Sequence, residues 1–132
     1  IEPGAFSALE RDVYDFLRKK QVIFYYEFME FYLSQTNSSA SLTYKPDFLL
    51  PQLTNNGRKV LLEPHGIKNN LKEVLHKLSV FRKHYGKYFC LILIVPDDFM
   101  ATIKELDPQR NSYDFVWKRS DYKTQFEIFR SS

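Results

Sequence analysis

The sequence predicts an α/β fold, a mixed central sheet flanked by helices. Three observations carry this. The almost unbroken apolar run YFCLILIVP at 88–96 reads as a central strand covered on both faces. The stretches 6–19 and 69–85 are amphipathic at helical spacing. Between them, 44–50 and 59–65 read as two strands joined by a polar turn near Asn55, Asn56 and Gly57. The predicted order is helix, three strands, helix, strand, helix, strand.

In FSALERDVYDFLRK (6–19), Phe6, Leu9, Val13, Phe16 and Leu17 fall on one face. Pro3-Gly4 precede this helix. Arg18, Lys19 and Lys20 close it, where cations meet the negative end of the helix dipole. Glu10 lies in or beside the apolar stripe. The next segment, QVIFYYEFMEFYL (21–33), is rich in β-branched and aromatic residues and reads as a strand. By parity Glu27 and Glu30 then face opposite sides, and a helical reading of YYEFMEFYL stays open. SQTNSSASLT (34–43) reads as a polar loop, a place for mobility or a partner contact.

In the second strand of the central pair, Leu61, Glu63 and His65 share one face, while Val60 and Leu62 share the other. Pro46 and Pro64 each remove a backbone donor and point to sheet edges or local distortion. The helix NNLKEVLHKLSVFRKHY (69–85) has Asn69 or Asn70 as its cap and Gly86 as its stop. Its core face is Leu71, Val74, Leu75, Leu78 and Phe81. Its cations are spread around it, because Ser79 interrupts the row of Lys72, His76 and Lys83. FMATIKEL (99–106) reads as a short helix and YDFVWK (113–118) as a last strand. QFEIFR is amphipathic and is given no element.

At 132 residues the chain is the size of one domain, 1–132, with an ordinary balance of 44% hydrophobic and 27% charged residues. A net charge of +3 is too mild to select a nucleic-acid partner by itself. The single cysteine, Cys90, excludes an internal disulfide and suits a reducing compartment, so the expected location is intracellular, cytoplasmic or nucleoid-associated. No apolar run reaches the roughly 20 residues of a membrane span, and no membrane partner is expected. The start, IEPGAF, lacks Met and a signal pattern, which is compatible with a piece of a longer chain. Other chemistries find little support. His76 and His84 lack a zinc spacing. Ser38-Ser39 has no accompanying catalytic pair. Trp117, Tyr113 and Cys90 read as packing residues.

The chemistry lies in the paired strands. Asp47 follows Pro46, and Glu63 stands in the next apolar run. Carboxylates set into apolar strands are costly unless paired or bound to a metal, and a hairpin brings these two together. Carboxylates, with retained waters, are the ligands that Mg²⁺ prefers. Glu10 offers a further carboxylate from the packed helix.

The pattern Glu10 … Tyr44-x-Pro46-Asp47-Phe48 … Leu62-Glu63-x-x-Gly66 resembles the PD-(D/E)xK nuclease superfamily. It is similar to versions found in transposon-end endonucleases, helicase-linked nuclease domains and repair endonucleases, and it covers roughly residues 7–96. The resemblance implies a restriction-endonuclease-like core and a DNA endonuclease dependent on Mg²⁺ or Mn²⁺. It implies Glu10, Asp47, Glu63 and the backbone carbonyl of Pro64 as metal ligands. Where the family has lysine, two residues after Glu63, this chain has His65. A neutral imidazole can act as a base near pH 7. Lys45, Lys59 and Lys68 lie near the site in sequence, and Lys72 is placed to reach across from the helix. Lys45, Lys68, Lys72, Lys77 and Lys83 are the candidate phosphate contacts, with RNA standing beside DNA as substrate. Cutting both strands of a duplex favours a homodimer. The alternative is a weakly active or inactive nuclease-fold module that binds nucleic acid or assembles with a larger complex, since a shared fold does not carry chemistry with it.

Overall fold

The computed structural model describes residues 7–35 and 41–132. Phe6, Pro3-Gly4 and Ser38-Ser39 lie outside the described residues. Helix α1 (Ala8–Lys19) starts at Ser7, whose Oγ accepts the Glu10 N–H at 3.2 Å. Its apolar stripe is buried from Leu9 to Leu17, at the spacing read from sequence.

The segment 21–33 is not one strand. It divides into β1 (Tyr25–Tyr26) and the start of β2 (Phe31–Gln35). The break falls at Glu27, which has a left-handed backbone with φ +47°. That turn directs β2 out of the main sheet, to pair antiparallel with β3 (Ser41–Tyr44) in a separate two-stranded sheet. The predicted loop 34–43 is therefore strand at both ends. Its middle, 36–40, lies outside the described residues.

β4 (Phe48–Asn55) and β5 (Arg58–Pro64) form the expected antiparallel hairpin, but its first strand runs from Phe48 rather than Tyr44, which ends β3 in the other sheet. Asn56 and Gly57 make its two-residue turn with φ +52° and +79°. Positive φ at both positions matches the twist of the flanking strands, and Gly adopts it at no steric cost. Helix α2 (Leu71–Tyr85) crosses back to β6 (Phe89–Val95), which runs parallel to β5. Asn70 occupies the cap position in left-handed backbone, but its side chain makes no capping bond. A single 3₁₀ turn leads into α3 (Met100–Leu106), followed by β7 (Phe115–Lys118), parallel to β6. The unassigned end is helix α4 (Tyr122–Ser131), which buries Tyr122 and Phe126.

The main sheet has the order β1-β4-β5-β6-β7 and is mixed, as the sequence predicts. One face, with Phe48, Leu50, Val60, Leu62, Ile92 and Ile94, packs on α1 and α4. The other, with Leu49, Leu61, Leu91 and Leu93, packs on α2 and α3. Parity along β5 thus sorts Leu61 from Val60 and Leu62, as read. Pro64 marks no edge strand, because β5 is interior. It is tolerated because the β4 ladder begins at Phe48↔Leu62, so no β4 carbonyl awaits the missing N–H. No helix among the described residues is long and apolar enough to cross a membrane.

Candidate functional site

The ends of β1, β4 and β5 meet the first turn of α1, and each brings an acid. Asp47 stands just ahead of β4 and is only 9% exposed. Its carbonyl accepts the Glu27 N–H at 2.9 Å, which ties the break after β1 to the start of β4. Glu63 is the penultimate residue of β5, opposite Leu93, on the α2 side of the sheet. The buried Tyr44 donates its hydroxyl to Glu63 Oε1 at 2.6 Å. Its ring is fixed edge-on against Phe81 with centroids 4.9 Å apart. Asp47 stands close enough to Glu63 for each carboxyl to bias the protonation of the other.

Helix α1 delivers Glu10 from the other side. Gly66 lies against this helix, where a Cβ would stand in ordinary contact 3.4 Å from Leu9 Cβ. The Tyr26 hydroxyl donates to Glu10 Oε2 at 2.8 Å. Glu10, Glu27 and Asp47 each present an oxygen within 4.8 Å of the others. Asp47 is the common member. It meets Glu63 on one side and the Glu10–Glu27 pair on the other.

Burial is the first cause of the raised Asp47 pKa, with the charges of Glu63, Glu10 and Glu27 adding to it. Burial also raises Glu63, and the bonds from Tyr44 and Asp47 only partly offset this. The two acids therefore retain a proton between them where free carboxylates would have lost theirs. Among the described residues no Lys or Arg forms an ion pair with Glu10, Glu27, Asp47 or Glu63. Asp114 shows the opposite design. It accepts from Arg58 and Arg82 at 2.9 Å each and from the Leu91 N–H at 2.8 Å. Burial pushes its pKa up, but these partners outweigh it, and the net shift is downward.

Hard oxygen donors, close packing and the lack of a basic partner fit a divalent cation of the Mg²⁺ or Mn²⁺ type. Oxygens on one octahedral ion of that size lie about 3–4 Å apart, so the trio needs only a small closing movement or an intervening water. Acidic clusters of this kind also occur without any ion, so the donor set defines a fit rather than an occupant.

His65 follows β5, and its backbone N–H donates to Ile94 O at 2.8 Å. Its Nε2 is buried and has no hydrogen-bond partner among the described residues. Burial lowers its pKa from 6.5, and the Ile67 backbone and Glu10 offset this only in part. Pro64 lies between Glu63 and His65, opposite Ile94.

The lysines are dispersed. Lys45 is exposed two residues before Asp47. Lys59 is committed elsewhere, with Nζ donating to Pro51 O at 3.0 Å. Lys68 lies over the Phe99 ring, 6.0 Å from its centroid. Lys72 and Lys77 line one groove with His76 and Leu42, and Lys83 lines a separate depression with Arg82 and Asn111. Arg82 is held by Asp114 and by the carbonyls of Arg110 and Asn111.

Glu27 is the site member that sequence reading does not select. It sits in an aromatic run with no turn residue beside it, and only the fold reveals the backbone break that brings it to Asp47. No protein-family model, no curated protein and no solved structure matches this chain.

Proposed function

We propose that this chain is a metal-dependent DNA endonuclease of the restriction-endonuclease-like type. The observation that carries the reading is the buried Asp47 carboxyl, held between Glu63 and the Glu10–Glu27 pair with no basic partner among the described residues. The succession of helix, antiparallel hairpin, helix and parallel strand supports it, because it places one acid on each element that meets at the site.

Glu10, Asp47 and Glu63 would hold Mg²⁺ or Mn²⁺, with Glu27 as a fourth carboxylate and the Pro64 carbonyl beside them. A divalent ion bound there polarises a phosphate oxygen and acidifies a coordinated water. Tyr44 fixes the rotamer of Glu63, and Tyr26 fixes that of Glu10. Both phenols are pushed to higher pKa, first by burial and then by those carboxylates, so they remain donors. His65 is neutral at pH 7 and suits the role of proton acceptor for the attacking water. A homodimer would offer one such site to each strand of a duplex.

The uncharged His65 also favours a second reading, a nuclease-fold module with weak or no cleavage that binds nucleic acid or joins a larger complex. A cleavage assay separates the two. Single-stranded DNA, duplex DNA and RNA are incubated with Mg²⁺, Mn²⁺ or EDTA, with Asp47→Ala as control. The nuclease reading expects metal-dependent products that vanish in Asp47→Ala. Products that survive that substitution would sink the site assignment.

A further inference from the structure

Beside the acids lies a surface that the proposed chemistry does not use. Tyr25 is 51% exposed, Phe28 49% and Met29 43%, with Ile23 and Tyr32 exposed nearby. Tyr25, Phe28 and Met29 flank Glu27 within five consecutive positions. Consecutive Cα atoms are about 3.8 Å apart, so the Tyr25 and Phe28 rings hang from backbone within about 8 Å of the Glu27 Cα. The Tyr25 and Phe28 ring centroids are 5.4 Å apart, with planes tilted by 45°. The pair makes a splayed aromatic shelf.

Folding does not require this shelf. Tyr25 pairs its backbone with Leu49 on the sheet, yet its ring stands outside both cores. Its neighbour Tyr26 does the structural work, packing on Phe48 and bonding Glu10. Glu27 turns the backbone at φ +47°, which sends Phe28 back toward Tyr25 on the exposed side. The same residue thus places a carboxylate in the candidate site and an aromatic pair at its rim.

Exposed rings beside a phosphate-directed site have a chemical meaning. Every nucleobase has a π-face, and aromatic side chains stack on it without regard to sequence. An intact duplex offers no free base face, because its bases are stacked on one another. Unpaired nucleotides do. Lys45, exposed two residues before Asp47, adds a cation beside the acids for the backbone of such a strand.

Resting on the nuclease reading, we propose that the substrate at this site carries unpaired nucleotides. The Tyr25–Phe28 shelf stacks bases of a single strand or overhang next to the phosphate held over Glu27, Asp47 and Glu10. The shelf sets preference for unpaired over paired DNA, and the acids carry the hydrolysis.

The test is fluorescence anisotropy with three labelled DNA probes of equal length: a single strand, a blunt duplex and a duplex with an overhang. Ca²⁺, another oxygen-seeking divalent cation, replaces Mg²⁺ so that the probes stay intact, which a gel verifies. The wild type is expected to bind the single strand and the overhang more tightly than the blunt duplex. Tyr25→Ala/Phe28→Ala should weaken single-strand binding about 30-fold or more, the loss of two stacked bases, and leave the blunt duplex within about twofold. Tyr25→Phe/Phe28→Tyr should restore binding. Near-UV circular dichroism checks the fold, and single Tyr25→Gln and Phe28→Gln variants repeat the reading if the double variant misfolds.

Equal loss on all three probes, or no loss on any, overturns the inference. So does a shelf variant that changes only the sedimenting mass, which would make the shelf a contact between copies of the chain. If the wild type cleaves, Asp47→Ala does not, and the shelf variants bind like wild type, this inference falls alone. If the wild type neither cleaves nor binds any probe with any cation, the nuclease reading falls and takes this inference with it.

Discussion

Replacing Asp47 and Asp114 separately by Asn should move stability in opposite directions. Asp114 bonds two guanidiniums and one backbone N–H. Breaking a buried ion pair costs about 3–5 kcal/mol. The Arg58 and Arg82 side chains are 20% and 23% exposed, and Asn keeps one acceptor. The expected loss at about pH 7 is therefore roughly 2–3 kcal/mol. The Asp114 pKa is lowered, so its contribution is present above 3.8 and fades as pH falls through the depressed value. Asp47 has the reverse sign. Its pKa is raised, so its stability is full below 3.8 and is lost as pH rises toward the folded value. One retained proton removes about 1.4 kcal/mol per pH unit, at most about 4 kcal/mol by neutrality. Asn holds no such proton, and its buried amide gives back part of the gain. Without a divalent ion, Asp47→Asn should be about 1–3 kcal/mol more stable than wild type at about pH 7 and no more stable near pH 4. Thermal unfolding in EDTA at the two pH values reads this, at roughly 3–5 °C per kcal/mol for a chain of this length. Adding Mg²⁺ to a hundredfold excess over its Kd should then stabilise wild type and Asp114→Asn by about 2.7 kcal/mol, but not Asp47→Asn. If Asp47→Asn in EDTA at neutral pH loses as much as Asp114→Asn, Asp47 is a paired structural acid and the argument for a cation fails.

His65→Ala should cut the cleavage rate about 10²-fold or more, and the acid limb of the wild-type pH–rate profile should lie below 6.5, because burial lowers that imidazole. A limb above 6.5, or an unchanged profile in His65→Ala, would remove His65 from the chemistry. Lys72→Ala/Lys77→Ala should reduce the slope of log affinity against log salt on duplex DNA by about 2. An unchanged slope would make that groove an ordinary solvated face, and adding Lys83→Ala tests whether the track continues into the neighbouring depression.

Local chemistry made part of this molecule legible. The Asn56-Gly57 turn and the apolar run on either side of it specify the hairpin, and hence the approach of Asp47 to Glu63. The run 89–95 is buried on both faces, as its composition demands. The break at Glu27 was not legible, because an aromatic run suits a straight strand equally well and no Gly, Pro or Asn announces the positive φ. Without that break, 21–33 reads as one strand, β2 and β3 vanish into a loop, and Glu27 stays outside the site. Helix α4 escaped for a related reason. Its pattern is too short to stand alone and is stabilised by tertiary contact, with Phe126 edge-on to Phe16 and Phe129 edge-on to Trp117.

The two ends of β5 treat their charged groups differently. Arg58 opens the strand and Glu63 nearly closes it, about 16 Å away at the usual rise per residue. At the Arg58 end the charges are paired, with Asp114 between two guanidiniums and Arg58 also bonded to Asn55 and Gly86. At the Glu63 end four carboxyl groups gather, and the bonds that two of them accept come from tyrosines. The same fold thus pairs a carboxylate with guanidiniums at one end of a strand and leaves carboxyl groups without a basic partner among the described residues at the other. Burying unpaired carboxylates costs stability, and one lysine in place of Tyr44 or Tyr26 would relieve it. A tyrosine holds a carboxylate in place without neutralising it. Two of the four acids have such a partner, which orients their oxygens and leaves their charge for a cation to meet.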